Sequence, residues 1–340
     1  MAYNSNSNFG RSLMDLVAGT IPAFGDIFVV VNPSDSSLPN YTKLQEVFNQ
    51  NPLNAVRVFT SATGLADAYA ATTSGNNDVI VLDSGTSQKV ASMLTVSKNK
   101  VHFIGFDGGG RKIGARSLIS NTGAGAATDV AMVQITGTGC TFRNIKFSNN
   151  WTVAQNLSAV LDYGTHTYFE NCDIENLGSA HLTNAAAASL IVSSDEAIYK
   201  NCTIGQDTLL VTSTAGQACL VTKGTSAQAM TRNLFTNCLF QTYTSDTSHV
   251  FVRVLVATSV DRYSVFDDCV FANSGSAVGS GVTLAAGVAS VVAMQGYLLF
   301  RNPAFLNTTK VAVSTTNAGV FVIGPVGGAN TSGIAVLATA

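Results

Sequence analysis

One short pattern recurs along this chain and restricts the folds open to it. It runs aromatic, any residue, Asn or Asp, a small or apolar residue, any residue, then Phe or Ile. It reads Phe142-Arg143-Asn144-Ile145-Lys146-Phe147, Phe169-Glu170-Asn171-Cys172-Asp173-Ile174 and Tyr199-Lys200-Asn201-Cys202-Thr203-Ile204. It returns as Phe235-Thr236-Asn237-Cys238-Leu239-Phe240, Phe266-Asp267-Asp268-Cys269-Val270-Phe271 and Phe300-Arg301-Asn302-Pro303-Ala304-Phe305. The leading aromatics are 27, 30, 36, 31 and 34 residues apart. A weaker copy, Val101-His102-Phe103-Ile104-Gly105-Phe106, precedes them.

A repeat of this length signals a solenoid. The intervening segments hold Thr, Val, Ser and Gly rather than 3.6-residue apolar periodicity, which disfavours helical repeats. Regularly spaced Leu, needed for a leucine-rich repeat, is missing. A fixed core with variable spacing fits an all-β, single-stranded right-handed parallel β-helix, whose strands keep register while its turns swell. Alternation then puts the first aromatic inside and the next residue outside. Asn marks a sharp bend, because it tolerates the left-handed backbone region better than other non-glycine residues. Stacked one coil above another, the Asn amides can bond in a ladder. The Cys after the bend points inward, so four cysteines form a column. Outside, Arg143, Glu170, Lys200, Thr236, Asp267 and Arg301 form one column, and Lys146 meets Asp173 in the next. Opposite charges at cross-strand distance favour that register, which makes Glu170, Asp173 and Asp267 structural surface residues.

Composition narrows the functional classes. Charged residues are 11% of the 340, against about 25% in ordinary soluble domains. The net charge of -2 supplies no basic field for nucleic acid or an anionic membrane. No stretch reaches the length of uninterrupted apolar residues that a membrane helix needs. Met1 to Gly25 lacks the basic start and apolar core of a signal peptide, so synthesis in a cytoplasm is expected. The six cysteines, Cys140, Cys172, Cys202, Cys219, Cys238 and Cys269, show no metal-binding spacing and read as free core residues.

We expect three regions. Residues 1–55 form an N-terminal arm and attachment region, with a short strand at Ile27 to Val31 and a helix at Tyr41 to Phe48. Residues 56–309 form the β-helix and its N-terminal cap. The cap comprises a strand at Val56 to Phe59 and an amphipathic helix at Thr63 to Thr72, followed by a buried strand from Asn77 to Leu82. Residues 310–340 are β-rich terminal coils or a tail. The helix would cover the open end of the solenoid, which otherwise exposes apolar core and unpaired backbone.

This order of capping helix, "NDVIVLDSGT", "LTVSKNKVHFIGFDG" and repeated "FxNCxF" resembles the pectin-lyase-like parallel β-helix proteins over Val56 to Phe305. Met93 to Arg116, with the overall layout, is similar to uncharacterised β-helix proteins of tailed bacteriophages. The resemblance implies a virion protein, made in the host bacterial cytoplasm. Such a protein would decorate the capsid or contribute to a head fibre, docking on the major capsid protein or other virion proteins. It further implies a homo-oligomer, with a homotrimer as the common form. The alternative is a tailspike or receptor-binding protein that binds or cleaves host surface polysaccharide.

No residue matches a catalytic, cofactor-binding or metal-binding motif. The scattered acids Asp162, Asp195, Glu196, Asp207, Asp246 and Asp261 match no enzyme pattern, and Asp267-Asp268 lies inside the structural repeat. Of His102, His166, His181 and His249, the pair His166 and His181 is close enough in sequence to share neighbouring coils. Phe106 to Lys112 is glycine-rich but lacks Walker spacing. Trp151 reads as packed in a turn, or as an anchor for a sugar or a partner.

Overall fold

The computed structural model describes residues 58–60, 64–82, 87–105, 117–178, 184, 186–212, 218–224, 229–274, 282–290, 294–311 and 319–324. The expected strand at Ile27 to Val31, the helix at Tyr41 to Phe48, the Phe106 to Lys112 loop and His181 lie outside them.

The described residues wind as a right-handed parallel β-helix of three long sheets, with a short two-stranded ladder, Met230–Thr231 on Val260–Asp261, at one corner. Sheet 1 stacks ten strands, from Val58–Thr60 through Thr141–Arg143, Tyr168–Glu170 and Ile198–Lys200 to Val320–Ile323. Sheet 2 stacks eight, from Gln88–Val90 to Ala304–Leu306, and sheet 3 seven, from Leu94–Val96 to Val288–Ser290. Each coil runs from sheet 1 to sheet 2 to sheet 3 and back. Every ladder pairing between these strands is parallel, as at Phe169↔Tyr199 and Tyr199↔Phe235.

The repeated aromatics fall directly above one another. Phe103, Phe142, Phe169, Tyr199, Phe235, Phe266 and Phe300 stack with centroids 4.5–4.9 Å apart. A second stack joins Phe240, Phe271 and Phe305 at 4.8 and 4.5 Å. Each such contact adds about 0.5–1.5 kcal/mol beyond the area it buries. Between the stacks the chain bends at Asn144, Asn171, Asn201, Asn237, Asp268 and Asn302, all with φ between 48° and 58°. Asn171 Nδ2 donates to Asn144 Oδ1 at 3.2 Å, and Asn302 Nδ2 to Asp268 Oδ1 at 3.2 Å. Just past the bend, Cys172, Cys202, Cys238 and Cys269 point inward; these four, with Cys140 and Cys219 elsewhere in the coils, are buried and form no disulfide.

The weaker first copy is displaced from its sequence alignment. Phe103, not Val101, lies opposite Phe142. A slip of two residues leaves the inside-outside alternation unchanged, so the pattern alone cannot detect it. In this register Gly105, the last residue of the strand Val101–Gly105, stands at the height of Asn144. A Cβ there would stand 2.1 Å from the Asn144 carbonyl oxygen.

Helix α1, Leu65–Ala71, closes the N-terminal end with Leu65, Ala68 and Tyr69 buried. The Tyr69 ring lies 6.1 Å from that of Phe103 and heads the aromatic stack. Its hydroxyl accepts from the backbone N–H groups of Ser97 and Lys98 at 2.7 and 2.9 Å. Lys98 Nζ donates to the carbonyls of Tyr69, Ala70 and Thr72. It thereby satisfies the orphan acceptors at the helix C-terminus and meets the negative end of the helix dipole.

Sheet 3 is apolar on both faces. Val160, Leu190, Leu220 and Val252 join the main core, whereas Leu161, Ile191, Val221 and Val250 form a separate buried cluster with Ala131, Ala188 and Ala218. The outer charge column pairs as expected. Glu170 bridges Arg143 at 3.2 Å and Lys200 at 3.1 Å, and Asp267 pairs with Arg301. Asp173 and Asp267 depart from the surface role expected of them, being 5% and 9% exposed. Asp173 lies 3.9 Å from Lys146 Nζ, which also reaches Glu175 at 2.9 Å.

Candidate functional site

Each coil has a second sharp corner, where sheet 3 hands the chain back to sheet 1. There too the backbone is left-handed, but the residues differ from rung to rung: Asn77, Lys100, Gly139, His166, Glu196, Arg232 and Arg262. The corner is held by the N–H of each rung donating to the next, His166 to Asp195 O and Glu196 to Thr231 O, both 2.8 Å. Bridges Thr165↔Asp195 and Asp195↔Thr231 keep the rungs aligned.

This alignment gathers charge. His166 Nε2 lies 2.6 Å from Glu196 Oε2. Arg232 Nε donates to Glu196 Oε1 at 2.7 Å, and Arg232 Nη2 to both Asp195 oxygens at 3.0 and 3.2 Å. One rung on, Arg262 lies 3.5 Å from Asp261. A shallow open depression of about 470 Å³ sits here, with Tyr168, Ile198 and Leu234 as its apolar floor beside His166, Glu196 and Arg232.

The electrostatics show what the cluster can do. The hydrogen bonds from His166 and Arg232 hold the Glu196 carboxyl below its usual range. A general acid at neutral pH needs the opposite shift. The carboxyl that is shifted upward is Asp162, through burial. It lies on the inner side of sheet 3, where it accepts from Thr167 Oγ1 and Tyr199 Oη, each 2.6 Å, and from the Gly164 N–H at 3.0 Å. With no exposed surface, it pins the corner from within. The external ion pairs likewise tie three successive rungs together.

Asp195, Glu196 and His166 are thus brought together, with Arg232, which the sequence reading did not single out. Asp261 lies a rung away. Asp207 is exposed on the strand Thr203–Val211, and Asp246 accepts from Ser248 in the loop before Val250–Val254. His102 faces outward on sheet 1, and burial, with the Arg143 charge, lowers its pKa. His249 is buried at the entry to Val250–Val254. Trp151 is fully buried, its Nε1 donating to the Thr122 carbonyl at 3.1 Å, so it packs a turn and presents no surface for a sugar or partner. Among the described residues no three His, Cys, Asp or Glu converge on a point that could hold a metal ion. No helix among them is long and apolar enough to cross a membrane.

Sheet 1 presents a further feature along its outer face. Val79, His102, Thr141, Tyr168, Ile198, Leu234, Val265, Leu299 and Phe321 follow one another in register up the shaft. Tyr263 and Tyr297 stand beside this column, 47% and 49% exposed, and Phe321 is 47% exposed.

No protein-family model and no curated protein matches the chain. Among solved structures, it is similar to the pectin methylesterase from Aspergillus niger, with 14% identity, 79% of this chain and 84% of that one covered and a TM-score of 0.46. The pectin methylesterase from Erwinia chrysanthemi gives 12% identity, coverage of 78% and 80% and a TM-score of 0.45. A Geobacillus virus E2 protein, ORF18, gives 13% identity and a TM-score of 0.46 over 72% of this chain, which spans 46% of that protein. All three TM-scores lie below 0.5, and the parallel β-helix rests on the strand register described above.

Proposed function

We propose that this chain is a structural protein of a bacteriophage particle, a capsid decoration or head-fibre component that acts by docking and not by catalysis. The observation that carries this reading is the outward column of sheet 1. Six successive residues of it, Tyr168, Ile198, Leu234, Val265, Leu299 and Phe321, are apolar, and soluble monomers rarely expose a contiguous apolar strip unless something binds there. The engaged carboxylates at the corner are consistent with it, since neither Glu196 nor Asp162 is poised to move a proton for a substrate. The resemblance of Met93 to Arg116 to phage β-helix proteins supplies the particle, with the major capsid protein or another virion protein as the partner. Mass spectrometry of purified particles is expected to find the chain at fixed stoichiometry. Its absence from them would end this reading.

The depression beside Tyr168 favours a second reading, a receptor-binding protein for host surface polysaccharide, because charged groups there rim an apolar floor. Incubation with bacterial surface polysaccharides separates the two. Release of new reducing ends would overturn the non-catalytic role.

A further inference from the structure

We propose that the thiol column beside the bend is a modification site, where a small peroxide joins Cys172 to Cys202 and Cys238 to Cys269 and so staples successive rungs in pairs.

Register places the four thiols. Asp173↔Thr203, Thr203↔Leu239 and Leu239↔Val270 are parallel pairs, so the residues just before them, Cys172, Cys202, Cys238 and Cys269, stand one above another. The rungs are tied at this point. The Thr203 and Leu239 N–H groups donate to the carbonyls of Cys172 and Cys202 at 2.8 Å, and the Val270 N–H donates to that of Cys238 at 2.9 Å. Rungs about 4.8 Å apart fall within the Cα separation of roughly 4.4–6.8 Å that a disulfide spans. The thiols are hydrogen-bonded in series, Cys202 with Cys172 and Cys238, and Cys238 with Cys269. Beyond Cys172 the same place is filled by Ile145, and beyond Cys269 by Pro303. Packing by itself therefore does not call for sulfur there. Four thiols in a closed row pair as two links with none left over. Cys140 and Cys219 stand apart, donating to the carbonyls of Lys98 and Gln241, each at 3.2 Å.

The order of reaction follows from the contacts. Burial raises the Cys202 thiol, but hydrogen bonds from the Cys172 and Cys238 thiols outweigh burial and hold it well below its ordinary range, toward the thiolate that reacts. The half-buried Asn201 precedes it at the bend, so this thiol lies one residue beneath the surface, within reach of a small neutral oxidant, hydrogen peroxide. The Cys202 sulfur attacks one peroxide oxygen. The O–O bond breaks, the other oxygen leaves as water with the thiol proton, and Cys202 becomes a sulfenic acid. The Cys172 sulfur then attacks the Cys202 sulfur. The S–S bond forms, the S–O bond breaks, and the hydroxyl leaves as water with the Cys172 proton. A second peroxide joins Cys238 to Cys269 in the same way. Each link consumes one peroxide and two thiols and yields one disulfide and two waters. A reducing cytoplasm keeps the thiols free, so the staples set only where peroxide outruns reductant.

The test treats the reduced full-length chain with millimolar hydrogen peroxide under native conditions, then with catalase, and unfolds it in urea. Thiol titration is expected to fall from six groups to two, the four of the column being consumed. Peptide mass mapping should find Cys172–Cys202 and Cys238–Cys269 and no other link. The oxidised chain should melt several degrees higher than the same sample after reduction with dithiothreitol, because the links restrict the unfolded chain. Cys202→Ala should keep only the Cys238–Cys269 link and part of the shift, whereas Cys219→Ala should keep both links and the whole shift. Each variant is compared with itself before and after oxidation, so packing lost through the substitution cancels. Six titratable thiols after native treatment would overturn the proposal. So would links that involve Cys140 or Cys219, a Cys202–Cys238 link that strands Cys172 and Cys269, or oxidation of the column to sulfinic acid without links.

Discussion

Asn171 and Glu196 occupy equivalent backbone conformations, φ 55° and 56°, yet only the first was visible in the sequence. Asn recurs at the bend of each coil because it combines tolerance of the left-handed region with an amide that can join a ladder. Asn171→Ala removes both advantages and should lower stability by about 1–2 kcal/mol, whereas Asn171→Gly should cost less, as thermal melts of the two variants would show. At the other corner, Lys100, His166, Glu196, Arg232 and Arg262 share a conformation but no side-chain chemistry, so no pattern advertised it. The ion pairs among them are exposed and contribute little. Glu196→Gly, which relieves the backbone, should therefore leave the melting temperature unchanged or raise it, and a large drop would show that the ion pairs stabilise the corner after all. Asp162 was named in the sequence, but its burial was not legible there, because a strand reading cannot tell that Thr167 and Tyr199 close over it. Burial raises its folded-state pKa above the ordinary value of about 3.9. Between those two values the folded state holds a proton that the unfolded state has lost, so stability falls as pH rises through that window. It is fully present below the ordinary Asp range. Melts from about pH 8 down to about pH 4 should thus show the wild type gaining stability relative to Asp162→Asn. A difference that did not vary with pH would contradict the assignment.

At the scale of elements, the aromatic and cysteine columns followed from the repeat alone, since alternation fixes which side chains point inward once the bend is placed. Phe235 shows what the stack contributes. It lies between Tyr199 at 4.5 Å and Phe266 at 4.6 Å, fully buried, and neither neighbour can move into the space that its removal would leave. Phe235→Ala should cost about 3–5 kcal/mol, measured by urea denaturation. The thiols provide a second reading of the same packing. Burial pushes the Cys219 thiol well above its ordinary range, far from the thiolate form that reacts. A thiol reagent should label it only after the rungs open, so its labelling rate should track unfolding as denaturant rises. Rapid labelling of the native chain would show that the interior is accessible. The capping helix was also legible, because Leu65, Ala68 and Tyr69 share one face. The hydrogen bonds from Ser97 and Lys98 to the Tyr69 hydroxyl were not. They join residues 28 and 29 positions apart in sequence, beyond the reach of any local pattern. The outward column of sheet 1 was missed for a related reason. Its members, among them Tyr168, Ile198, Leu234 and Leu299, precede or lie inside the repeated core at positions that tolerate any residue, so only stacking reveals that they form a strip.

The described residues form a one-dimensional stack, in which each rung is stabilised chiefly by the one above and the one below. At the N-terminal end helix α1 lies on the first rungs, and Tyr69 continues the aromatic stack onto Phe103. At the other end, the last described strand, Val320–Ile323, pairs among the described residues with Tyr297–Arg301. Its Phe321 and Ile323 remain 47% and 54% exposed. A rung with a single neighbour forfeits half of the contacts that hold an interior one, so if no further coil covers Val320–Ile323, opening begins there and moves inward. Backbone amide exchange should follow this gradient. Amides of Phe142, Phe169, Tyr199 and Phe235 should exchange only through global unfolding, with those of Val320–Ile323 exchanging faster by orders of magnitude. Uniform protection from Phe142 to Ile323 would mean that something covers the last rung as completely as α1 covers the first, and the stack would then have no weak end.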